Sequence, residues 1–205
     1  MSQITSGMRA IFSSPRVYDS FQNLMGASLM RQELVNVFMR PTPGMRLLDI
    51  GCGTAEILRF LPEDVHYCGY DISQRYIDSA QLRFGNRGHF HCGRLDAQQL
   101  DRLPQFDLVI AVGVLHHLDD GEATGLFELA SRALTPNGRI VTIDPCFAKG
   151  QNPIARFLIA NDRGQNVRNA AAYCELPRSN FTNIGWQLRH RRWIPYTHLV
   201  MECKQ

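Results

Sequence analysis

The sequence predicts an α/β fold: a doubly wound, mostly parallel seven-stranded sheet, closed by an antiparallel C-terminal hairpin. Three observations predict it. Short apolar runs alternate with amphipathic helical segments from residue 45 to residue 144, the pattern of successive strand–helix–strand units. The run Phe106–Gly113 is apolar apart from Asp107, as expected of a strand covered on both faces. The first apolar run ends in Gly51 and Gly53, a sharp turn between a strand and a helix.

Bulk properties narrow the class. With 205 residues the chain can bury the core of one domain. Its 44% apolar and 20% charged content excludes disordered and membrane classes. A net charge of +3 is too small to argue for a nucleic-acid surface, so no nucleic-acid partner is expected. Six scattered cysteines form no C-x-x-C pair and no zinc spacing. That usage predicts reduced thiols, no metal and a cytoplasmic location. The N-terminus lacks the pattern of a signal peptide, and the longest apolar run, Leu108–Leu115, is too short for a membrane span. No oligomeric state is assigned.

The elements follow in order. Tyr18–Met39 reads as a helix, with Phe21, Leu24 or Met25, Ser28, Val35 and Phe38 along one stripe, ended by Pro41, Pro43 and Gly44. Arg31 lies on or beside that stripe. It either turns inward to an anion or snorkels at a solvated edge. Met45–Glu56 reads M-R-L-L-D-I-G-C-G-T-A-E: a buried strand through Leu47, Leu48 and Ile50, a glycine turn, then a short helix Ala55–Leu61 opened by Thr54 and stopped by Pro62. The turn is either a tight connection or a ligand site. A dinucleotide fingerprint would place a third glycine where Glu56 stands, and that anion opposes a phosphate. No Lys-Ser/Thr pair follows, which excludes a phosphate-binding P-loop. Asp49, two residues before the turn, suits a ligand with an amino group and positive charge.

Val65–Tyr70 is the second strand, and Asp71 at its end either accepts ribose hydroxyls or caps the helix Ser73–Phe84. That helix buries Tyr76, Ile77, Ala80 and Phe84. After the turn Gly85–Gly88, His89–Cys92 is the third strand. Asp96 then either meets a ligand or caps Ala97–Leu100. The fourth strand ends in Val112-Gly113-Val114-Leu115-His116-His117-Leu118, at the sheet edge where ligands bind in such folds. An imidazole there either takes a proton from a hydroxyl or serves as a satisfied structural side chain. Asp119–Leu134 is a helix burying Leu126, Ala130, Ala133 and Leu134. A turn over Thr135–Gly138 and a strand over Arg139–Asp144 follow. Asn152-Pro153 starts a helix that Gly164 ends, and Val167–Leu176 forms a second. Asn161, Asp162, Arg163 and Arg168 are polar candidates for substrate contact. Trp186–Trp193 and Tyr196–Lys204 form the hairpin, where Arg189, His190, Arg191 and Arg192 guard an edge strand.

L-L-D-I-G-C-G-T closely resembles the first motif of class I S-adenosylmethionine-dependent methyltransferases. Residues 45–144 carry that family's motifs in order and spacing, including the run L-T-P-N-G-R-I-V-T-I-D-P. G-V-L-H-H-L stands where enzymes that modify base amino groups carry Asn/Asp-Pro-Pro-Tyr/Phe. It resembles the branch acting on small molecules. The resemblance implies a Rossmann-like methyltransferase fold over 1–205: an N-terminal helical cap (1–44), a cofactor core (45–144), a helical substrate lid (145–185) and the closing hairpin (186–205). It implies an enzyme, a transferase that moves the methyl group of S-adenosyl-L-methionine to a small-molecule acceptor by in-line displacement. Asp49, Gly51, Cys52, Gly53 and Val112 would line the cofactor. Asp71 would take its ribose, Ile72 and Ala97 its adenine ring and Asp96 the adenine amino group. Arg31 would meet its carboxylate, with Tyr18 as a cap. His116 and His117 are the catalytic candidates. A metal is not expected, because His116 and Gly113 replace the acids that bind one in some relatives. Ala55 departs from the family's third glycine. The alternative is a protein that binds S-adenosylmethionine without transferring its methyl group.

Overall fold

The computed structural model describes residues 27–161, 164–191 and 196–205, so the expected cap residue Tyr18, the stripe residues Phe21, Leu24 and Met25, and Asp162, Arg163 and Arg192 lie outside the described residues. The chain divides into two compact units, one running to Leu95 and the other from Asp96 to Gln205.

In the first unit, helix α1 (Ala27–Glu33) widens into a π-helical turn over Leu34–Met39. It stops at Arg40, whose φ of 44° is left-handed and whose N–H donates to Val35 O at 2.8 Å. Leu34, Val35, Phe38 and Met39 are buried, so the apolar stripe is broader here than Val35 and Phe38 alone. Strands β1 (Arg46–Ile50), β2 (His66–Asp71) and β3 (Gly88–Cys92) are parallel, with β2 between the other two. Leu48 pairs with Cys68 and Asp49 with Gly69, which sets the ends of β1 and β2 side by side.

The helix expected after the glycine turn is a 3-10 segment, Glu56–Phe60. Two causes shorten it. Ala55 before it is left-handed, at φ 54°, and Pro62 disfavours a helical conformation at Leu61. Buried Glu56 is paired with Arg59 at 2.6 Å and with Arg83 on α2 (Gln74–Phe84), tying the segment to that helix. Of the predicted core face of α2, Ile77 and Ala80 are buried, while Tyr76 and Phe84 are half-buried.

The second unit begins with α3 (Ala97–Leu100) and β4 (Phe106–Val112), followed by α4 (Asp120–Ala133) and the long strand β5 (Leu134–Phe147). Asp119 caps α4 by accepting from Glu122 N at 2.8 Å. Then come α5 (Pro153–Ala160), β6 (Arg168–Asn169), α6 (Ala170–Glu175), β7 (Asn183–Arg191) and β8 (Tyr196–Lys204). β4 and β5 are parallel; β8 lies antiparallel between β5 and β7. Leu108, Val109, Ile110 and Ala111 are wholly buried, as the apolar run requires.

The described residues hold eight strands, three in the first unit and five in the second, one more than the seven expected. The additional strand is β6, where Arg168 pairs with Cys146 at the end of β5 and takes the start of the predicted helix 167–176. The predicted turn Thr135–Gly138 lies within the bounds of β5, at a register irregularity opposite Phe106–Leu108. A Cβ at Gly138 would stand 2.8 Å from Leu134 Cδ2 and 3.0 Å from Thr135 O, so the chain doubles back closely here and a larger residue would need its neighbours to shift. No described helix is long and apolar enough to cross a membrane.

Candidate functional site

The glycine turn is fastened to β2 by its own backbone. Gly51 N and Cys52 N both donate to Tyr70 O, at 2.7 and 3.0 Å. Gly51 and Gly53 have φ of 78° and 56°, and nothing lies within 4 Å of a Cβ built on Gly53. That side of the turn is open for a ligand to lie against the main chain. The Cys52 thiol turns away from it: a Cβ on Gly69 of β2 would sit 2.9 Å from Cys52 Sγ. Burial pushes this thiol well above its usual range, so it stays neutral.

Asp71 fastens the turn and the start of the next helix. Its Oδ2 accepts from Gly53 N at 2.9 Å and its Oδ1 from Ser73 N at 2.8 Å, so it clamps the turn and starts α2. Each oxygen retains a lone pair for a further donor. Desolvation raises its pKa, and the two backbone N–H groups oppose the rise. Beside it, Ile72 presents an apolar side chain that is 46% exposed.

Asp49 is the unusual group. It is 3% exposed, Tyr67 Oη donates to its Oδ2 at 2.6 Å, and its Oδ1 has no hydrogen-bond partner among the described residues. Desolvation pushes its pKa up to about 7; the Tyr67 hydrogen bond pulls it down, the Asp71 charge pushes it up, and the Arg31 charge pulls it down. Arg31 is therefore near enough to act electrostatically on Asp49. A buried carboxyl with an orphaned oxygen calls for a positively charged donor.

In the second unit Asp96 is an N-cap. Its Oδ1 accepts from Gln99 N at 2.8 Å, and its own N–H donates to Gln99 Oε1 at 3.0 Å, completing a capping box at the start of α3, where Ala97 is the first residue. Asp96 is exposed, and only its Oδ1 accepts in the cap. Val112 is half-buried at the end of β4, and Gly113, at φ 68°, donates to Ile143 O at 2.8 Å.

The two histidines share one 3-10 turn, Leu115–His117, with ring centroids 4.0 Å apart. His116 is buried. Asp144 Oδ1 accepts from its backbone N at 3.1 Å and lies 2.8 Å from its Nδ1. Asp144, in the last third of β5, is 2% exposed; desolvation raises its pKa and the hydrogen bond from His116 opposes the rise. His117 is half-buried. Among the described residues no cluster of three or more His, Cys, Asp or Glu is placed to hold a metal.

The structure thus gathers Asp49, Gly51, Cys52, Gly53 and Asp71 in one unit, and His116 and His117 with Asp144 in the other. Sequence reasoning missed Tyr67 and Asp144. The signal for Asp144 was present: like Asp49 and Asp71, it is an acid toward the end of an apolar strand. Arg168, read as a substrate contact, spends all five of its N–H donors on its own chain. The Asn161 amide donates to Phe157 O at 2.8 Å, within the end of α5.

Residues 48–140 match the family described as a methyltransferase domain. Over 123 residues the chain is 30% identical to cyclopropane-fatty-acyl-phospholipid synthase of Escherichia coli, a match covering 57% of this chain and 30% of that enzyme. The chain therefore spans about a third of the length of that curated relative. Its fold is similar to a TehB-like S-adenosylmethionine-dependent methyltransferase from Corynebacterium glutamicum, with a TM-score of 0.64 and 19% identity over 94% of this chain and 98% of the other. It is also similar to phosphoethanolamine N-methyltransferase 2 of Haemonchus contortus, solved with phosphomonomethylethanolamine and S-adenosylhomocysteine. There the TM-score is 0.69 and the identity 16%, over 86% of this chain and 52% of that one.

Proposed function

We propose that residues 48–140, which match a methyltransferase domain, are a class I S-adenosylmethionine-dependent methyltransferase domain, and that the chain is an enzyme transferring the methyl group of S-adenosyl-L-methionine to a small-molecule acceptor. The observation that supports this most is the orphaned oxygen of Asp49, buried beside an open glycine turn that Asp71 clamps. A cationic amino group and a ribose are what such a pair of acids receives.

Each residue has a role. Asp49 accepts from the cofactor's amino group, and Tyr67 holds that carboxyl in one rotamer. Arg31 meets the cofactor's carboxylate; Tyr18 is proposed as a cap over the same end. Asp71 accepts the ribose hydroxyls. Ile72 covers one face of adenine, the second oxygen of Asp96 accepts its amino group, and Ala97 lies against the ring. Gly51, Cys52, Gly53 and Val112 supply main chain that a ligand can approach closely. When bound, the cofactor supplies a methyl carbon on a sulfonium, open to in-line displacement by the acceptor atom. The protein holds donor and acceptor in line and excludes water. Where the acceptor is a hydroxyl, His117 takes its proton, while Asp144 fixes the ring of His116 by accepting from Nδ1–H. The acceptor is a small metabolite, of the general kind named in the relatives above. The setting is cytoplasmic, and no nucleic-acid partner is proposed.

The test has two stages. Calorimetric titration with S-adenosylhomocysteine should show saturable binding. Incubation with S-adenosylmethionine and a small-metabolite extract should then release S-adenosylhomocysteine in an extract-dependent way. Binding without release under every extract would favour the non-methylating alternative, and absence of binding would end both. Replacing His116 and His117 together should lower turnover; full turnover would dismiss the proton-accepting role.

A further inference from the structure

We propose that Arg168 is the positioning residue of the histidine turn, and that residues 164–168 are a strap holding His116 and His117 in place. The idea rests on the function above only in treating that turn as the reacting one.

A single 3-10 turn leaves most of its carbonyl groups unsatisfied and has little stiffness of its own. The strap reaches carbonyls along the turn, Leu115 O among them, which also accepts from Leu118 N at 3.1 Å. Arg168 Nη1 donates to Leu115 O at 3.0 Å, Arg168 Nη2 to Leu118 O at 2.8 Å, and Asn166 N to His116 O at 3.0 Å. The same guanidinium reaches Asp120 Oδ1, at the start of α4, through Nε at 2.9 Å and Nη2 at 2.7 Å. Its last N–H goes to Asn166 O at 2.9 Å, and the group lies 5.6 Å over the Tyr173 ring. Five N–H donors meet four acceptor atoms, Asp120 Oδ1 taking two of them, on a side chain that is only 9% exposed. A planar fork does this where an ammonium, with three donors on one atom, does not.

Gly164 completes the strap. A Cβ there would overlap His116 Cδ2 and the His116 carbonyl oxygen, so the strap backbone lies directly on the ring. On its other side the ring is fixed by Asp144. The turn is gripped from both sides by residues far along the chain, and the direction of His117 follows from that grip.

The experiment is nuclear magnetic resonance of the ligand-free, full-length chain with 15N-labelled histidine. Wild type should show a His116 Nδ1–H protected from exchange with water, and a single set of His117 ring signals. Arg168→Ala should lose that protection and shift the His117 signals, Arg168→Lys should restore them only in part, and added methylguanidinium should return them in Arg168→Ala. Arg132→Ala, which removes a surface cation paired with Asp101, should leave both signals as in wild type. Wild-type histidine signals in Arg168→Ala would overturn the proposal, as would equal changes in Arg132→Ala. Should Arg168→Ala not fold, Arg168→Lys and Gly164→Ala decide it: unchanged signals in both overturn the proposal, displaced signals support it. The S-adenosylhomocysteine titration of wild type tests the underlying function separately and does not depend on these signals.

Discussion

Asp49→Asn is the most informative single substitution. In the folded chain the Asp49 carboxyl keeps its proton to about pH 7, against 3.8 for an ordinary carboxyl. Between those values the folded state holds a proton that the unfolded state has released, so stability falls as pH rises through this window. At 1.36 kcal/mol per unit, a shift of about three units makes the loss about 4 kcal/mol above pH 7. That is a large share of the roughly 5–15 kcal/mol that holds a domain together. Asparagine keeps an acceptor for Tyr67 Oη and carries no charge. Urea denaturation followed by circular dichroism should find variant and wild type alike near about pH 4 and the variant more stable by up to about 4 kcal/mol near about pH 8. Binding should move the other way. The amino group of S-adenosylhomocysteine favours the ionised carboxylate, so wild-type affinity should climb as pH passes through 7. The variant should bind independently of pH and more than about tenfold more weakly. Parallel stability curves, or equal affinities at about pH 8, would refute the assignment of a strained, cation-seeking carboxyl.

Two further substitutions test the surroundings of that group. Arg31→Ala removes a charge that pulls the Asp49 pKa down, so the pH at which affinity climbs should move upward. It should also weaken S-adenosylhomocysteine about tenfold in calorimetry; unaltered affinity would place Arg31 at a solvated edge. Gly69→Ala would set a methyl 2.9 Å from both Cys52 Sγ and Tyr67 Cε1. It should destabilise by about 1–3 kcal/mol in thermal melts, and Cys52→Ala in the same chain should recover part of that.

The strands and the glycine turn were legible because their signals are local: an apolar run, a breaker, an acid at the strand's end. Every predicted strand is present, and Asp49 and Asp71 stand where the spacing put them. What the sequence hid is non-local or too short to carry a period. β6 is two residues long and is a strand only because Cys146 and Phe147 lie beside it. The His116–Asp144 pair joins positions 28 apart, and nothing near either residue announces the other. Arg168 looked like a surface cation facing a substrate. Only the tertiary structure reveals that its donors are already taken, two of them by main chain some fifty residues earlier and two by the Asp120 carboxylate. The helix after the turn is shorter than the sequence predicts because Ala55 adopts a left-handed conformation that an alanine seldom takes.

β5 pairs on one edge with a strand about thirty residues before it, and on the other with β8, about sixty residues after it. The two closures differ in loop length, and the longer one carries the larger entropic barrier. The parallel edge is therefore expected to form first. In the interval before β8 arrives, a long apolar strand offers bare amides and carbonyls to whatever meets it, including another nascent copy. The yield of folded protein at high expression should therefore depend on how quickly the hairpin pairs with β5.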